Sequence, residues 1–230
     1  MNVQPGTELN WTETQKSFLS VTLKGVSAYE AVLFDFDGVL VDSEPVHFEC
    51  WGEILKPFGL TLPWEYYEKN CIGVSDRAMI QTLVELADPP ADFEAVYSRY
   101  PQKKMLFRER MLVNPPISRE TLELIPQLSK IVKVAVVTSS GRTEVEPILD
   151  QLGLLPYLQT AVFGGDVERL KPAPDPYLLA AERLNVKKAL VVEDSQAGIA
   201  SGRAAGFDVI EISHPREVAG KVKKSLKIEA

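Results

Sequence analysis

The stretch that most limits how this chain can fold is Ala31-Val32-Leu33-Phe34-Asp35-Phe36-Asp37-Gly38-Val39-Leu40-Val41-Asp42-Ser43. Four apolar residues run straight into a carboxylate, without the alternation of a strand that has one face in water. Such a run fits a strand buried on both faces, as inside a parallel sheet. Two carboxylates at the end of a buried strand are costly unless a ligand beyond the sheet uses them. In open α/β sheets ligands bind outside the carboxyl ends of the strands, where Asp35 and Asp37 fall. Gly38 then turns the backbone with no side chain between it and a bound group. Asp-Gly is also an ordinary turn dipeptide, so the rest of the chain has to decide.

The remainder supplies the rest of such a sheet. Residues 46–116 carry a helical pattern, with helices expected over Glu44–Leu55, Trp64–Asn70, Ser75–Leu86 and Asp92–Leu112. Gly59, Pro63, Gly73 and Pro89-Pro90 separate them. Strands are expected at Val132–Val137, Ala161–Phe163, Ala189–Val192 and Asp208–Glu211. Helices fall between them at Ser118–Leu128, Thr143–Leu152, Asp175–Leu184 and Gln196–Ala205. Strands alternating with helices imply βαβ units. The expected fold is α/β: a doubly wound parallel sheet, a Rossmann-like core of residues 29–45 and 117–230, with a small α-helical cap inserted at 46–116. Residues 1–28 form an N-terminal extension in which Leu19, Val21 and Leu23 alternate as in a short strand. The basic stretch Lys221–Lys227 is expected to be a solvated tail.

Composition narrows the chemistry. The chain has 230 residues and a net charge of −7, which argues against nucleic acid or an anionic membrane as partner. His47 and His214 are the only histidines, and Cys50 and Cys71 the only cysteines. That excludes a zinc site built from several histidines and gives no zinc-binding cysteine spacing. No G-x-S-x-G elbow is present. Two distant cysteines suit reduced thiols and a cytoplasmic location. No apolar run reaches membrane-spanning length, and Met1–Ser20 lacks the order of a signal peptide.

Three buried strands end in polar clusters: Asp35/Asp37, Thr138/Ser139 and Glu193/Asp194, with Lys171 in a proline-rich loop. Right-handed crossovers bring all these ends to one edge. Crowded carboxylates repel unless a cation joins them. Oxygen ligands suit Mg²⁺, which shares one or two carboxylates with a phosphate. A hydroxyl and a lysine supply donors for phosphate oxygens. The set describes a phosphoryl-transfer site in which Asp35 is the nucleophile and Asp37 the acid and base.

The order D-x-D-G-V-x-x-D-S from Asp35, a hydroxyl at Thr138, K-P-x-P from Lys171 and E-D-S-x-x-G-I from Glu193 resembles the haloacid dehalogenase superfamily. The helical insertion resembles the cap of its branch holding β-phosphoglucomutase and phosphoglycolate-type phosphatases. The resemblance implies Asp35 as nucleophile and Mg²⁺ ligand, and Asp37 as acid/base with its carbonyl on the metal. Thr138 and the Ser139 backbone, beside Gly38 and Ser140, resemble the phosphate-binding end. Lys171 resembles the charge-neutralising lysine, and Asp194, with Glu193 beside it, the remaining metal ligand. Asp37 separates the chain from true dehalogenases, which lack that residue. In the cap, His47 matches a histidine of the mutases, and Gly73-Val74-Ser75 matches their substrate loop. Where the mutases carry an arginine for the distal phosphate, this chain has Asp76, followed by Arg77. Where they carry a lysine after Ser140, it has Gly141 and Arg142. Arg77 is therefore the cap's candidate for a distal group, with Lys103 and Lys104 behind it. The expected activity is a Mg²⁺-dependent phosphatase acting on a small phosphorylated metabolite, foremost a sugar phosphate, in a monomer. β-Phosphoglucomutase is the alternative. A non-enzymatic phospho-receiver is a distant one, since receivers place the acidic pair first and the acceptor later.

Overall fold

The computed structural model describes residues 28–72 and 74–228. The strand envisaged around Leu19–Leu23 and the loop residue Gly73 lie outside the described residues. Five strands form one sheet: β1 (Ala31–Phe34), β2 (Lys133–Val137), β3 (Thr160–Val162), β4 (Ala189–Glu193) and β5 (Asp208–Glu211). All pairings are parallel and the order is β3-β2-β1-β4-β5. β1 is central, which is why its residues Ala31–Phe34 have no polar face: all four are buried.

The helices are α1 (Glu44–Leu55), α2 (Trp64–Asn70), α3 (Asp76–Leu86), α4 (Phe93–Tyr97), α5 (Tyr100–Val113), α6 (Arg119–Leu128), α7 (Arg142–Gln151), α8 (Asp175–Leu184), α9 (Gln196–Ala204) and α10 (Val218–Leu226). Successive strand residues point to opposite faces. Val32, Phe34, Val134 and Val136 therefore pack with α6, α7 and α10 through Leu124, Ile125, Ile148 and Val222. Ala31, Leu33, Ala135 and Val191 pack with α8 through Tyr177, Ala180 and Leu184. The helices between β1 and β2 have a separate core around Trp51, Leu55, Tyr67, Ile80, Leu83 and Val96. α1 and α5 serve both cores, since Cys50, Phe107 and Met111 belong to the sheet cluster while Trp51 belongs to the insertion and Tyr100 packs against it. Among the described residues no helix is long and apolar enough to cross a membrane.

The structure departs from two expectations. The single helix expected over Asp92–Leu112 is two, α4 and α5, broken at Ser98 and Arg99. Pro101 lacks an amide proton and clashes with a preceding turn, so it sits in the first turn of a new helix instead. The basic C-terminal stretch is not a solvated tail. Val218, Ala219, Val222 and Leu226 share a buried face of α10, while Lys224 and Lys227 stay exposed on the other side.

Candidate active site

The register sets the site. Phe34 pairs with Val136 on one side and Val192 on the other, so Asp35 lies level with Val137 and Glu193. The Asp35 amide continues the ladder by donating to the Val192 carbonyl at 3.0 Å. From the loop before α8, the Lys171 ammonium reaches this level and donates three bonds. They go to Asp35 Oδ1 at 2.6 Å, Glu193 Oε1 at 2.6 Å and the Val137 carbonyl at 2.9 Å. Tyr177 on α8 donates to Glu193 Oε1 at 2.7 Å. Glu193 Oε2 accepts from the Asp194 amide at 3.1 Å, the Ser195 amide at 3.2 Å and the Ser195 hydroxyl at 3.1 Å.

Two glycines are required by this crowding. A Cβ on Gly198 would lie 1.8 Å from Glu193 Oε1. A Cβ on Gly38 would lie 1.9 Å from Asp194 Oδ2, and Gly38 has φ +72°, where other residues are strained.

Burial is the main cause that holds Asp35 well above the ordinary carboxylate range; Lys171 opposes it, and Glu193, Asp194 and Asp37 add to it. Burial and then Glu193 push Asp194 up to about 7. Burial would lower Lys171, but Asp35 and Glu193 outweigh it, so the ammonium stays charged. Three carboxylates thus share one ammonium, and the carboxylates absorb the imbalance.

A divalent cation fits this imbalance. Asp35, Glu193 and Asp194 each offer an oxygen within 4.8 Å of the others. Glu193 already accepts five bonds, more than the four lone-pair positions of a carboxylate provide for. No cation pairs with Asp194 among the described residues, which leaves Asp194 and the second oxygen of Asp35 for a metal. A purely oxygen donor set of this kind suits Mg²⁺.

Beside the cluster, Ser140 Oγ donates to Asp37 Oδ2 at 3.0 Å, and the Ser140 amide donates to Thr138 Oγ1 at 3.0 Å. Thr138 is buried at the end of β2, where its amide donates to the Val162 carbonyl at 2.9 Å. Asp37, Ser139 and Ser140 open into a cavity of about 600 Å³ closed on the far side by the helical insertion. Asp37, two residues beyond Asp35, is not part of the carboxylate cluster, which groups only Asp35, Glu193 and Asp194.

His47 on α1 and Lys103 on α5 meet across that cavity. The Lys103 ammonium donates to His47 Nδ1 at 2.6 Å, and the ring stacks on Phe107 at 4.0 Å. Burial, with Lys103 second, brings His47 down to about 4. The imidazole is neutral at pH 7 with its proton on Nε2. Arg77 lies elsewhere: its guanidinium covers the rings of Phe93 and Tyr97 at 4.8 and 5.0 Å, outside the cavity lining. Sequence inspection missed Tyr177, which steadies Glu193 from sixteen residues away without any local signal. It also missed Glu44, which lines the cavity and accepts from the Tyr67 hydroxyl at 2.6 Å.

Comparison with known proteins agrees with this geometry. The model of the haloacid dehalogenase-like hydrolase family matches residues 32–212. A phosphorylated carbohydrates phosphatase of Thermotoga maritima is 37% identical over 184 residues, 79% of this chain and 83% of the relative. Fructose-1-phosphate phosphatase YqaB of Escherichia coli is 31% identical over 196 residues, 80% of this chain and 96% of the relative. A solved structure from Thermotoga maritima superimposes with a TM-score of 0.67 at 29% identity. That match covers 85% of this chain and 99% of the other. With the four motifs converging on one sheet edge and a family model spanning most of its length, the chain belongs to the haloacid dehalogenase-like hydrolases.

Proposed function

We propose that this protein is a Mg²⁺-dependent phosphatase that hydrolyses a small phosphorylated carbohydrate through an aspartyl-phosphate intermediate. The observation that carries this reading is the Asp35–Lys171–Glu193–Asp194 cluster at the sheet edge, with Asp37 hydrogen-bonded to Ser140 above it. The relatives named as phosphatases of phosphorylated carbohydrates and of fructose 1-phosphate support the substrate class.

The Asp35 carboxylate attacks phosphorus while the bond to the leaving oxygen breaks. Asp37 gives its proton to that oxygen, then takes one from the water that attacks the acyl phosphate, releasing phosphate and restoring Asp35. Lys171 holds Asp35 in place and offsets the charge gathering on the phosphoryl oxygens. The Thr138 hydroxyl and the Ser139 amide hold those oxygens, with Gly38 leaving room for them, and Ser140 orients Asp37. Mg²⁺, held by Asp35, Asp194 and the Asp37 carbonyl, supplies positive charge that lets an anionic nucleophile approach an anionic ester. Glu193 anchors Lys171 and Asp194 in this scheme. Residues 46–116 act as the cap over a core of residues 29–45 and 117–230, with His47, Val74 and Ser75 lining the space over the substrate.

The test is phosphate release across a panel of sugar phosphates and other small phosphomonoesters, with Mg²⁺ and with chelator. Release that requires Mg²⁺ supports the proposal. Conversion of β-glucose 1-phosphate to glucose 6-phosphate without net phosphate release would replace it with a mutase.

A further inference from the structure

The wall of the cavity opposite Asp37 has a charge pattern of its own. Four carboxylates line the cavity, Asp37, Glu44, Asp76 and Glu144, against two lysines, Lys103 and Lys104. Both lysines are already engaged. Lys104 pairs with Glu144 at 2.6 Å. Lys103 faces Asp76 Oδ2 at 3.5 Å and donates to His47. The two arginines nearest in sequence to the substrate loops are turned away. Arg77 covers Phe93 and Tyr97, and Arg142 pairs with Glu146 at 3.1 Å and Asp166 at 3.4 Å.

Asp76 is held in place on this wall. It is the first residue of α3, behind the N-cap Ser75, whose Oγ accepts from the Ala78 amide at 3.3 Å. Its Oδ1 accepts from the indole N–H of Trp51 at 2.8 Å, and Trp51 is fully buried. A fixed carboxylate with an ammonium 3.5 Å away presents an acceptor and a donor side by side. That pair matches a hydroxyl group, which both donates and accepts, and it does not match a phosphate or a carboxylate, which only accepts.

We propose that the cavity selects phosphomonoesters with an uncharged, hydroxyl-bearing leaving group, and that Asp76 is the specificity-determining residue that turns away a second anionic group. The substrate is a monophosphate of a sugar or polyol; sugar bisphosphates and phosphorylated hydroxy acids are rejected. This rests on the phosphatase reading above and refines it. Glu44, paired with the Tyr67 hydroxyl on the same wall, adds a second acceptor for substrate hydroxyls.

Matched substrates that differ only in the second anion test it. Fructose 1-phosphate is compared with fructose 1,6-bisphosphate, and 2-hydroxyethyl phosphate with 2-phosphoglycolate. In the wild type, kcat/KM for the uncharged member of each pair should exceed that for the charged member at least tenfold. Asp76→Asn keeps an acceptor for Trp51 but loses the charge, and should narrow that ratio at least fivefold. Asp76→Glu should keep the wild-type ratio. Equal turnover of both members by the wild type overturns the proposal and leaves the phosphatase reading standing. So does an Asp76→Asn variant that keeps its thermal midpoint and its wild-type ratio. Failure to hydrolyse any phosphomonoester with Mg²⁺ present overturns the phosphatase reading and this one with it.

Discussion

The sheet edge and the cavity wall face each other across the same space, and they manage charge in opposite ways. At the edge, three carboxylates crowd a single ammonium, and the excess is left open toward an incoming cation and phosphate. On the wall, Lys103 and Lys104 each lie against a carboxylate, and His47 is neutral. One region carries an excess of negative charge; the other is nearly self-balanced. The difference separates chemistry, which needs unsatisfied charge, from recognition, which here needs charge to be satisfied so that neutral groups can be told from anions.

Breaking the edge should have the largest effect. Asp35→Asn removes the nucleophile and should cut turnover by about 10³-fold or more, measured as phosphate release, while circular dichroism stays native. Retained activity would end the proposed mechanism. Gly198→Ala should come next, because its Cβ must displace the Glu193 carboxylate from Lys171 and Tyr177. Overpacking of this kind costs about 1–3 kcal/mol, visible in denaturant titration, with a loss of activity beyond the loss of fold. An unchanged midpoint would mean that Glu193 is free to move.

Acid and base titrate the two regions in opposite directions. The carboxylate of Asp194 has a folded value near 7, raised above that of the unfolded chain, so its stability contribution is present at low pH and is lost as pH rises toward 7. Without metal, the thermal midpoint should fall across that window, and Mg²⁺ should lift it most at the upper end. His47 is depressed to about 4, so its contribution is present above the unfolded value of about 6.5 and is lost as pH falls toward 4. Asp194→Asn should reduce the first limb, which Asp35 shares, and His47→Gln should flatten the second, each leaving the other. A variant that flattens both limbs would dissolve the distinction between the two regions.

The smallest effect is expected at Lys104→Met. The Lys104–Glu144 pair ties α5 to α7, but both side chains are partly exposed. Its loss should change stability by less than about 1 kcal/mol, and a larger change would show that the helical insertion is held to the sheet domain more tightly than their separate cores suggest.

These same regions differ in how far they could be read in advance. Asp35, Thr138 and Glu193 were legible because each ends or follows an apolar strand, and parallel strands align their ends whatever the loops do; Lys171 was legible from its proline-rich loop. The wall comes from α1, α2, α3, α5 and α7, and no periodicity tells which helix faces which. Asp76 was visible only as a departure from the mutase pattern; its bond to Trp51 twenty-five residues away needed the fold. Tyr177 and Glu44 left no trace for the same reason. α10 was misjudged because its lysines hid the spacing of Val218, Val222 and Leu226.

One of the three acceptors that hold Lys171 is the main-chain carbonyl of Val137. No side-chain replacement can remove it. The aim of this lysine is therefore partly a property of where β2 ends, and it outlasts changes to both carboxylates beside it. A scaffold built this way can lose its original chemistry and still present a positioned amine at the sheet edge, a starting point from which a different anion-handling site could be engineered.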